Sequence, residues 1–482
     1  MNSRAVFHLI AHLLIVIGIG MAVCWGIALY FDDPWQTQKA LALSAAVTLL
    51  IGLILKVSTP RVEDLSLRDG IGVVTFGWLT VALFGALPFL LSGEIRDPTG
   101  AFFESVSGFT TTGASVMNNL EAVARGVLFW RALTHFLGGM GVLVLCVAIL
   151  PFLGIGGMSL YRAEVSGPTK ERLTPRIAST AKLLWGVYVL LCAANAVLLR
   201  FGGMTWFDAV CHAFATIATG GFSTRTASIG AYNSPYIEAV TVFFMFVGAT
   251  NFALHYGALR GKVLGYFKDP EFRLYLGLWL LSCLAVSWNI WHRVYDSAWS
   301  ALRNGFFSTT SLLCTTGFAT VDFDLWPAMS KAWLLVLMIL GGCVGSTGGG
   351  IKQMRTYIAL KSPGRWARVF MQPQAVIQVK MGATPVPDPI VLQVMGYIVL
   401  YLLMLALAAL AMTILTGDIM TSFASVIATM GGVGPGFGQV GPMQNYAGIP
   451  DVGKGILILC MLLGRLEFYT LLVVFLPRFW KK

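Results

Sequence analysis

Four short clusters rich in threonine and glycine recur along the chain, and each lies between two apolar segments. A short amphipathic run precedes each cluster, as in FFESVSGFTTTGAS, and the clusters end on the glycines at 113, 220, 317 and 434. Such clusters could bind a stripped cation, because backbone carbonyl oxygens can replace its hydration shell and glycine permits the positive φ that such a loop needs. The predicted ion-binding residues are Thr110, Thr111, Thr112, Gly113, Ile217, Ala218, Thr219, Gly220, Cys314, Thr315, Thr316, Gly317, Gly431, Gly432, Val433 and Gly434.

Potassium is the cation that these clusters suit best. None of them contains a carboxylate, so the ligands would be neutral dipoles, whereas rings of Asp or Glu would indicate a divalent cation. The alternative is that small residues merely let helices approach one another closely. One cluster would leave that alternative open, but four clusters at the same place in four hairpins favour a pore.

The composition indicates a membrane protein, with 57% hydrophobic residues, 11% charged residues and a mean hydropathy of +0.76. Apolar runs of about 20 residues recur, which is the length that crosses a bilayer core of roughly 30 Å. The predicted fold class is an all-α polytopic membrane protein. We expect four pseudo-symmetric repeats, each a span, a pore helix and a second span, around one pore, plus an extra N-terminal helical hairpin.

The predicted organisation places two spans outside the repeat and eight within it, with four half-crossing pore helices. The expected divisions are the hairpin at residues 1–66 and pore repeats at 67–160, 161–265, 266–382 and 383–482. The start of the chain resembles a signal peptide, but its apolar region is long and lacks a cleavage motif, so a retained first span is expected.

The net charge of +11 could suggest nucleic acid, but its distribution favours another explanation. Of the 33 Lys and Arg residues, 22 lie in one alternate set of loops and tails. Basic loops remain on the cytoplasmic side, so both termini are expected there. The basic charge thus sets the topology, and the bilayer, not nucleic acid, is the expected partner.

One apolar segment is interrupted by the sequence GGCVGSTGGG at residues 341–350. Glycine costs about 1 kcal/mol against alanine within a helix, and a helix broken at membrane depth is tolerated where it lines a cavity or is buried in protein. We expect this to be the one broken repeat, with the interruption lining a cavity or buried in protein.

Arg465 lies within an apolar span, where an arginine needs water or a partner. One interpretation is a structural pair with Glu467 or snorkelling towards the interface. The other, which we prefer, places its charge in the ion path beside the 341–350 segment. Glu104 and Asp208 lie near the starts of pore helices and are expected to interact with the helix dipoles.

An enzyme is not indicated. GSTGGGIK does not meet the spacing of a phosphate-binding loop, and no paired carboxylates or Ser/His/Asp set appears outside the apolar segments. The eight cysteines include no CxxC pair and are expected to be buried, reduced thiols.

The sequence resembles the Trk/Ktr/HKT superfamily of potassium transporters, and within it the TrkH-like bacterial subunits. The resemblance covers essentially the whole chain and rests on FFESVSGFTTTGAS, LYRAEVSGPTK, HAFATIATGGFST, GGCVGSTGGGIK and GRLEFYTLLVVF. It implies filter roles for the four clusters, a gating role for residues 341–350 and an ion-barrier role for Arg465. The gate residues predicted in this way are Gly341, Gly342, Gly345, Ser346, Thr347, Gly348, Gly349, Gly350 and Arg465. It also implies K⁺ as the transported ion with no organic cofactor, a homodimer, and a cytosolic TrkA-like ring that binds nucleotide and controls the gate.

Within that resemblance, a glycine rather than a serine at position 113 favours potassium over sodium. The fourth cluster lacks the threonine of the others. The leading hypothesis is a passive, partner-gated potassium uptake pore in a bacterial inner membrane. The alternative is a secondary transporter that couples K⁺ to H⁺ or Na⁺, which usually needs a mid-membrane carboxylate or broken helices in both halves.

Overall fold

The computed structural model describes residues 2–59, 66–148, 173–375 and 377–480, and these are predominantly helical. A short hairpin of two strands, β1 (Lys380–Met381) and β2 (Thr384–Pro385), is the one sheet in this part of the chain. The prediction of an all-α fold is therefore confirmed. The expected boundary between residues 160 and 161 lies outside the described ranges.

The N-terminal hairpin consists of α1 (Ser3–Tyr30) and α2 (Trp35–Ser58), which pack along each other. Its turn is attached to the rest of the protein by Asp33. This carboxylate accepts hydrogen bonds from the amides of Arg125, at 3.2 Å, and Gly126, at 2.7 Å. Both amides belong to the first turn of a later helix, where backbone N–H groups have no partner within the helix. Asp33 therefore caps that helix from outside.

Four helical units follow the hairpin. The first contains α3 (Leu67–Gly85), α4 (Leu87–Ser92), α5 (Pro98–Phe109) and α6 (Arg125–Ala148). The second contains α7 (Leu173–Phe201), α8 (Trp206–Ile217), α9 (Pro235–Gly248) and α10 (Phe252–Leu259). The third contains α11 (Gly265–Lys268), α12 (Pro270–Ile290), α13 (Ala298–Leu313), α14 (Ala328–Leu340) and α15 (Gln353–Met371). The fourth contains α16 (Asp388–Thr416), α17 (Ile419–Gly431), α18 (Asp451–Leu466), α19 (Phe468–Val474) and α20 (Pro477–Trp480).

Three of the four short helices begin at a side-chain cap, and α13 is the exception. Asp97 caps α5, Thr205 caps α8 and Asp418 caps α17, each by accepting hydrogen bonds from first-turn amides. At Asp418, hydrogen bonds from the hydroxyl and amide of Thr421 lower the pKa of the carboxyl. These caps fix where the short helices start.

Within the described ranges, seven helices are long and apolar enough to cross a membrane, and two bent pairs bring the number to nine. The tenth expected span is α14, which has 13 residues and ends at the glycine-rich segment. The least buried of the seven is α16, with 22% of its most apolar stretch buried and leucines exposed along its length. Such an exposed apolar surface is what lipid would cover.

The expectation that a single repeat is broken is wrong. The pair α9 and α10 bends by 103°, and the pair α18 and α19 bends by 113°. The second outgoing helix ends at Ala249 and restarts after Asn251, which caps α10 by accepting from the Ala253 amide. The fourth turns at Glu467, whose φ is +66°. Three of the four units therefore have an outgoing helix that is interrupted at a similar place.

Candidate ion pathway

The four short helices α5, α8, α13 and α17 all end in the same hydrogen-bonded turn. After α5, the amide of Thr111 donates to the Gly108 carbonyl at 3.0 Å and the amide of Thr112 donates to the Ser107 carbonyl at 2.9 Å. This pair of bonds defines the Schellman motif, which satisfies the last carbonyls of a helix. In the other three turns, the bond that matches Thr112 to Ser107 also spans five residues. The amides of Gly220, Thr316 and Val433 donate to the carbonyls of Ala215, Ser311 and Ala428, respectively, each at 2.8 Å.

The turn requires a left-handed residue at its second position, and three of the four positions hold threonine. The φ angles are +51° at Thr111, +52° at Thr219 and +55° at Thr315, while Gly432 has +70°. A β-branched residue in this region is a genuine outlier and is retained only where its surroundings enforce it. The absence of threonine in the fourth cluster is thus explained, because a glycine occupies the strained position there.

Glycine recurs two residues after the left-handed position, with φ angles of +83°, +80°, +81° and +97°. These residues are Gly113, Gly221, Gly317 and Gly434. The predicted second cluster, residues 217–220, is therefore one residue out of register, since Ile217 is the last residue of α8 and Gly221 completes the turn. We define the four loop segments as residues 110–113, 218–221, 314–317 and 431–434.

The four loop segments contact one another in a closed cycle. A Cβ atom built on Gly113 would overlap the carbonyl oxygen of Gly220 in the second segment. In the same way, Gly221 abuts the carbonyl of Thr316, Gly317 abuts that of Val433, and Gly434 abuts that of Thr112. Each third-position carbonyl therefore lies against the fourth-position glycine of a neighbouring segment, and no larger residue fits without a shift.

A buried ion pair holds the part of the chain that follows the first segment. Glu104 and Arg131 are 2.6 Å apart, Oε1 to Nε, with side chains 0% and 3% exposed. Glu104 also accepts from the Ser115 hydroxyl and the Val116 amide, and Arg131 donates through Nη1 to the Ser223 carbonyl at 2.9 Å. The expectation that Glu104 acts on a helix dipole is wrong, because it lies past the middle of α5 and pairs with Arg131.

The second segment has its own polar support. Asp208 lies in the first turn of α8, as expected, and also accepts from the hydroxyls of Thr205, at 2.9 Å, and Thr224, at 2.6 Å. His135 stacks on Phe222 with ring centroids 4.1 Å apart, and its ring occupies the space that a side chain on Gly220 would need. Both adjacent glycines of this segment are thus required, one by the histidine and one by the loop cycle.

Tyr446 is a site residue that the sequence did not suggest. Its buried hydroxyl donates to the Gly434 carbonyl at 2.7 Å, and its amide donates to the Ser115 carbonyl at 2.8 Å. It therefore ties the fourth segment to the chain that follows the first. No local signal marks it, because its two partners are distant in sequence.

The glycine-rich segment, residues 341–350, is a buried loop that returns to its own starting point. Positive φ angles occur at Gly341, Gly345 and Gly350, where side chains would be strained. The Ile351 amide donates to the Ile339 carbonyl at 2.9 Å, so the two ends of the loop are adjacent. We call this segment the glycine-rich loop.

Several units hold the glycine-rich loop. The hydroxyl of Thr347 donates to the carbonyls of Ile217, at 2.7 Å, and Gly248, at 3.0 Å, at the ends of α8 and α9. The Cys343 amide donates to the Ala249 carbonyl at 2.9 Å, and Arg465 donates through Nη1 to the Thr347 carbonyl at 2.7 Å. The predicted gate residues are therefore brought together, next to the break between α9 and α10.

Glu271, a second residue that the sequence did not suggest, secures both ends of this region. Its Oε1 accepts from the Val344 amide at 2.7 Å and from the Met354 amide at 3.0 Å. Glu467 pairs with Arg355, Oε2 to Nη2, at 2.5 Å, while Arg465 bonds to the loop. The considered pairing of Arg465 with Glu467 is not seen among the described ion pairs.

The thiols that the structure describes, seven of the eight, are free and buried, in agreement with the prediction. No group of three His, Cys, Asp or Glu side chains within the described ranges could hold a resident metal ion.

Comparison with known proteins identifies the family. A family model described as TrkH, cation transport protein, matches residues 37–482. The chain belongs to the TrkH family. The Trk system potassium uptake protein TrkH of Salmonella typhimurium is 41% identical over 489 residues, with 100% of both chains covered. The Trk system potassium uptake protein TrkI of Halomonas elongata is 33% identical over 481 residues, covering 99% of this chain and 97% of that protein.

The fold agrees with the same TrkH assignment. The crystal structure of the potassium transporter TrkH from Vibrio parahaemolyticus has a TM-score of 0.92 to this chain at 36% identity, covering 100% of each. Members of the TrkH family are transport proteins rather than enzymes, as the sequence predicted. With its apolar helices, the chain is an integral membrane protein.

Proposed function

We propose that this chain takes up potassium through one selective pore, formed where the four loop segments meet. The observation that carries the proposal is the closed cycle of contacts between third-position carbonyls and fourth-position glycines. Four extended segments in a cycle supply rings of backbone oxygens, as potassium filters do. Relatives that are 41% and 33% identical to this chain are named potassium uptake proteins, which agrees with the proposed ion.

The chemistry of the segments supports potassium as the substrate. Within residues 110–113, 218–221, 314–317 and 431–434 there is no carboxylate, and the groups present are neutral dipoles. Such ligands compensate the dehydration of K⁺ more readily than that of a more strongly hydrated ion. Glu104 and Arg131 lie outside the four segments, and their opposite charges compensate each other in a buried ion pair.

The glycine-rich loop and Arg465 are proposed as the gate. The loop contacts the ends of α8 and α9, and a Cβ on Gly349 would overlap the Gly431 carbonyl, so the loop lies against the fourth segment too. Six glycines permit alternative backbone conformations at low cost. Arg465 adds a positive charge at Thr347 that opposes cation passage while the loop is in place.

Partner, assembly and orientation are part of the same proposal. The relatives' names describe a Trk system, which supports additional components, here a cytosolic TrkA-like nucleotide-binding ring that controls the loop. We place both termini on the cytoplasmic side of a bacterial inner membrane, from the basic loops, and propose a homodimer. The pore repeats are proposed to span residues 67–160, 161–265, 266–382 and 383–482, after the hairpin of 1–66.

A coupled secondary transporter is the second candidate, and one observation favours it. Helices broken at membrane depth are typical of such carriers, and three units of this chain have interrupted outgoing helices. However, the breaks at Ala249 and residues 341–350 adjoin each other, with Cys343 bonded to Ala249. The breaks therefore form one cluster beside the loop segments, which suits a single gate at least as well.

The reversal potential of the purified protein in planar bilayers distinguishes the two candidates. A KCl gradient is imposed at fixed pH and Na⁺, and each co-ion gradient is then varied separately. A reversal potential that follows the K⁺ Nernst value under all conditions supports the passive pore. A reversal potential that shifts with the H⁺ or Na⁺ gradient at fixed stoichiometry would replace the pore with the coupled carrier.

A further inference from the structure

Thr315 belongs to the third loop segment and also touches the glycine-rich loop. Its hydroxyl oxygen accepts a hydrogen bond from the Gly349 amide at 2.7 Å, and both residues are buried. The other two left-handed threonines have different surroundings. Thr219 donates to the Ala218 carbonyl at 2.7 Å, and the Thr111 hydroxyl has no hydrogen-bond partner in the part of the chain that the structure describes. Thr315 alone of the three bonds to the loop.

Gly349 fits between two segments at this point. Its amide bonds to Thr315 in the third segment, while its α-carbon lies so close to the Gly431 carbonyl that a side chain would overlap it. Two residues earlier, Thr347 bonds to the Ile217 carbonyl just before the second segment. The glycine-rich loop therefore contacts the third and fourth segments and the residue that precedes the second. Its bond to Thr315 involves a residue in the strained left-handed conformation.

We propose that Thr315 couples the position of the glycine-rich loop to the conformation of the selectivity filter. The inference rests on the proposed function, in which the loop is the gate and the loop segments are the filter. When the loop moves away, the hydrogen bond from the Gly349 amide to the Thr315 hydroxyl is broken. The seated loop thereby helps to hold Thr315 in its left-handed conformation.

Coupling between two sites is reciprocal, so the filter must act on the gate as well. A substitution that removes the Thr315 hydroxyl weakens the attachment of the glycine-rich loop to the third segment. Displacement of the loop in turn removes a restraint on the third segment. Gate opening and K⁺-over-Na⁺ selectivity are then not independent, because the same bond contributes to both.

The test uses the full-length purified chain in planar bilayers, with open probability and the permeability ratio measured for each variant. Thr315→Val keeps the shape of the side chain but removes the acceptor, and is expected to raise open probability roughly two- to ten-fold. Thr315→Ser keeps the acceptor and is expected to raise open probability less than Thr315→Val does. If Thr315→Val and Thr315→Ser behave alike, the hydrogen bond is not the cause and the coupling is overturned.

Matched variants separate the loop contact from a general filter effect. Thr111→Val and Thr219→Val make the same change at the same left-handed position, where the hydroxyl does not bond to the loop. They are expected to alter the permeability ratio without the rise in open probability. An equal rise in all three valine variants would overturn the proposal, since the effect would then belong to the filter in general.

A second approach disturbs the contact from the loop side. Gly349→Ala places a methyl group against the Gly431 carbonyl and should displace the loop, raising open probability and shifting the permeability ratio together. A rise in open probability with an unchanged permeability ratio would contradict the coupling, including in the case that Thr315→Val fails to fold. If the wild-type protein shows no K⁺-selective current, the proposed function fails and the coupling fails with it.

Discussion

Arg465 donates through Nη1 to the carbonyl oxygen of Thr347 at 2.7 Å, so a buried cation of the fourth unit rests on the glycine-rich loop of the third. Two residues further on, Glu467 faces Arg355 instead. The two arginines therefore differ in the groups that they contact. Arg355 forms a buried ion pair, and Arg465 presents its charge at the loop.

Replacing Arg465 by glutamine should raise potassium flux. Two unit charges about 10 Å apart repel by roughly 1.7 kcal/mol at an effective dielectric constant of about 20, so removal of the charge is worth roughly ten-fold in rate. Rubidium uptake into proteoliposomes measures this. Arg465→Lys retains the charge and serves as the control, and a glutamine variant no faster than the lysine variant would argue against an electrostatic barrier.

Deleting residues 341–350 should also raise flux. The deletion is geometrically feasible because Ile351 already bonds to Ile339, so the two cut ends are adjacent. The same uptake assay applies, with membrane insertion checked by chromatography of the purified protein. Flux that stays flat or falls in a folded deletion variant would place the gate elsewhere.

The corrected register of the second segment makes a direct prediction. Gly113→Ser and Gly221→Ser should both weaken K⁺-over-Na⁺ selectivity, because each side chain would meet the carbonyl of a neighbouring segment at the same position of the cycle. Gly220→Ser should instead disturb His135 and act mainly on stability. Permeability ratios in bi-ionic bilayer recordings measure the first effect. A larger selectivity loss at Gly220 than at Gly221 would restore the original register.

Glu104→Gln should destabilise the protein by about 3 kcal/mol, because it leaves the Arg131 charge buried without its carboxylate partner. Thermal unfolding in detergent measures the change. The pair of Glu238 and Arg303, whose arginine side chain is 24% exposed, offers a matched comparison in which Glu238→Gln should cost less. Equal losses for the two variants would mean that burial does not determine the cost.

Gly432→Thr introduces at the fourth segment the residue that the other three carry at that position. The space exists, since the nearest atom to a Cβ there is 4.0 Å away, but a left-handed side chain costs roughly 1–2 kcal/mol. We expect a modest loss of stability with transport retained. Gly434→Thr, which would press on the Thr112 carbonyl, should impair transport, and the reverse order of effects would contradict the assigned positions.

Sequence reasoning predicted the helical membrane fold and the N-terminal hairpin, because apolar runs and turn residues are local signals. The four clusters that it predicted each follow a short helix that ends in the same hydrogen-bonded turn. It placed the second one residue early, since two adjacent glycines offer two alignments and the left-handed Thr219 that resolves them is visible only in the backbone angles.

What escaped the sequence depends on distant partners. Glu104 meets Arg131, Tyr446 meets Gly434, and Glu271 joins the glycine-rich loop at Val344 to the following helix at Met354, none of which follows from periodicity. The break after α9 did leave a signal, because an asparagine before an apolar run is a typical helix cap. The turn at Glu467 left none.

The cyclic contact of the loop segments has a mechanical consequence. Each glycine is braced by the carbonyl of the next segment, so no single segment can move outwards or inwards without displacing its neighbour. The diameter of the proposed pore is therefore a shared property of all four segments, although the four sequences that build it differ. Substitution of one glycine should widen or distort the proposed pore as a unit, and compensating changes should arise in the adjacent segment rather than in the one that was altered.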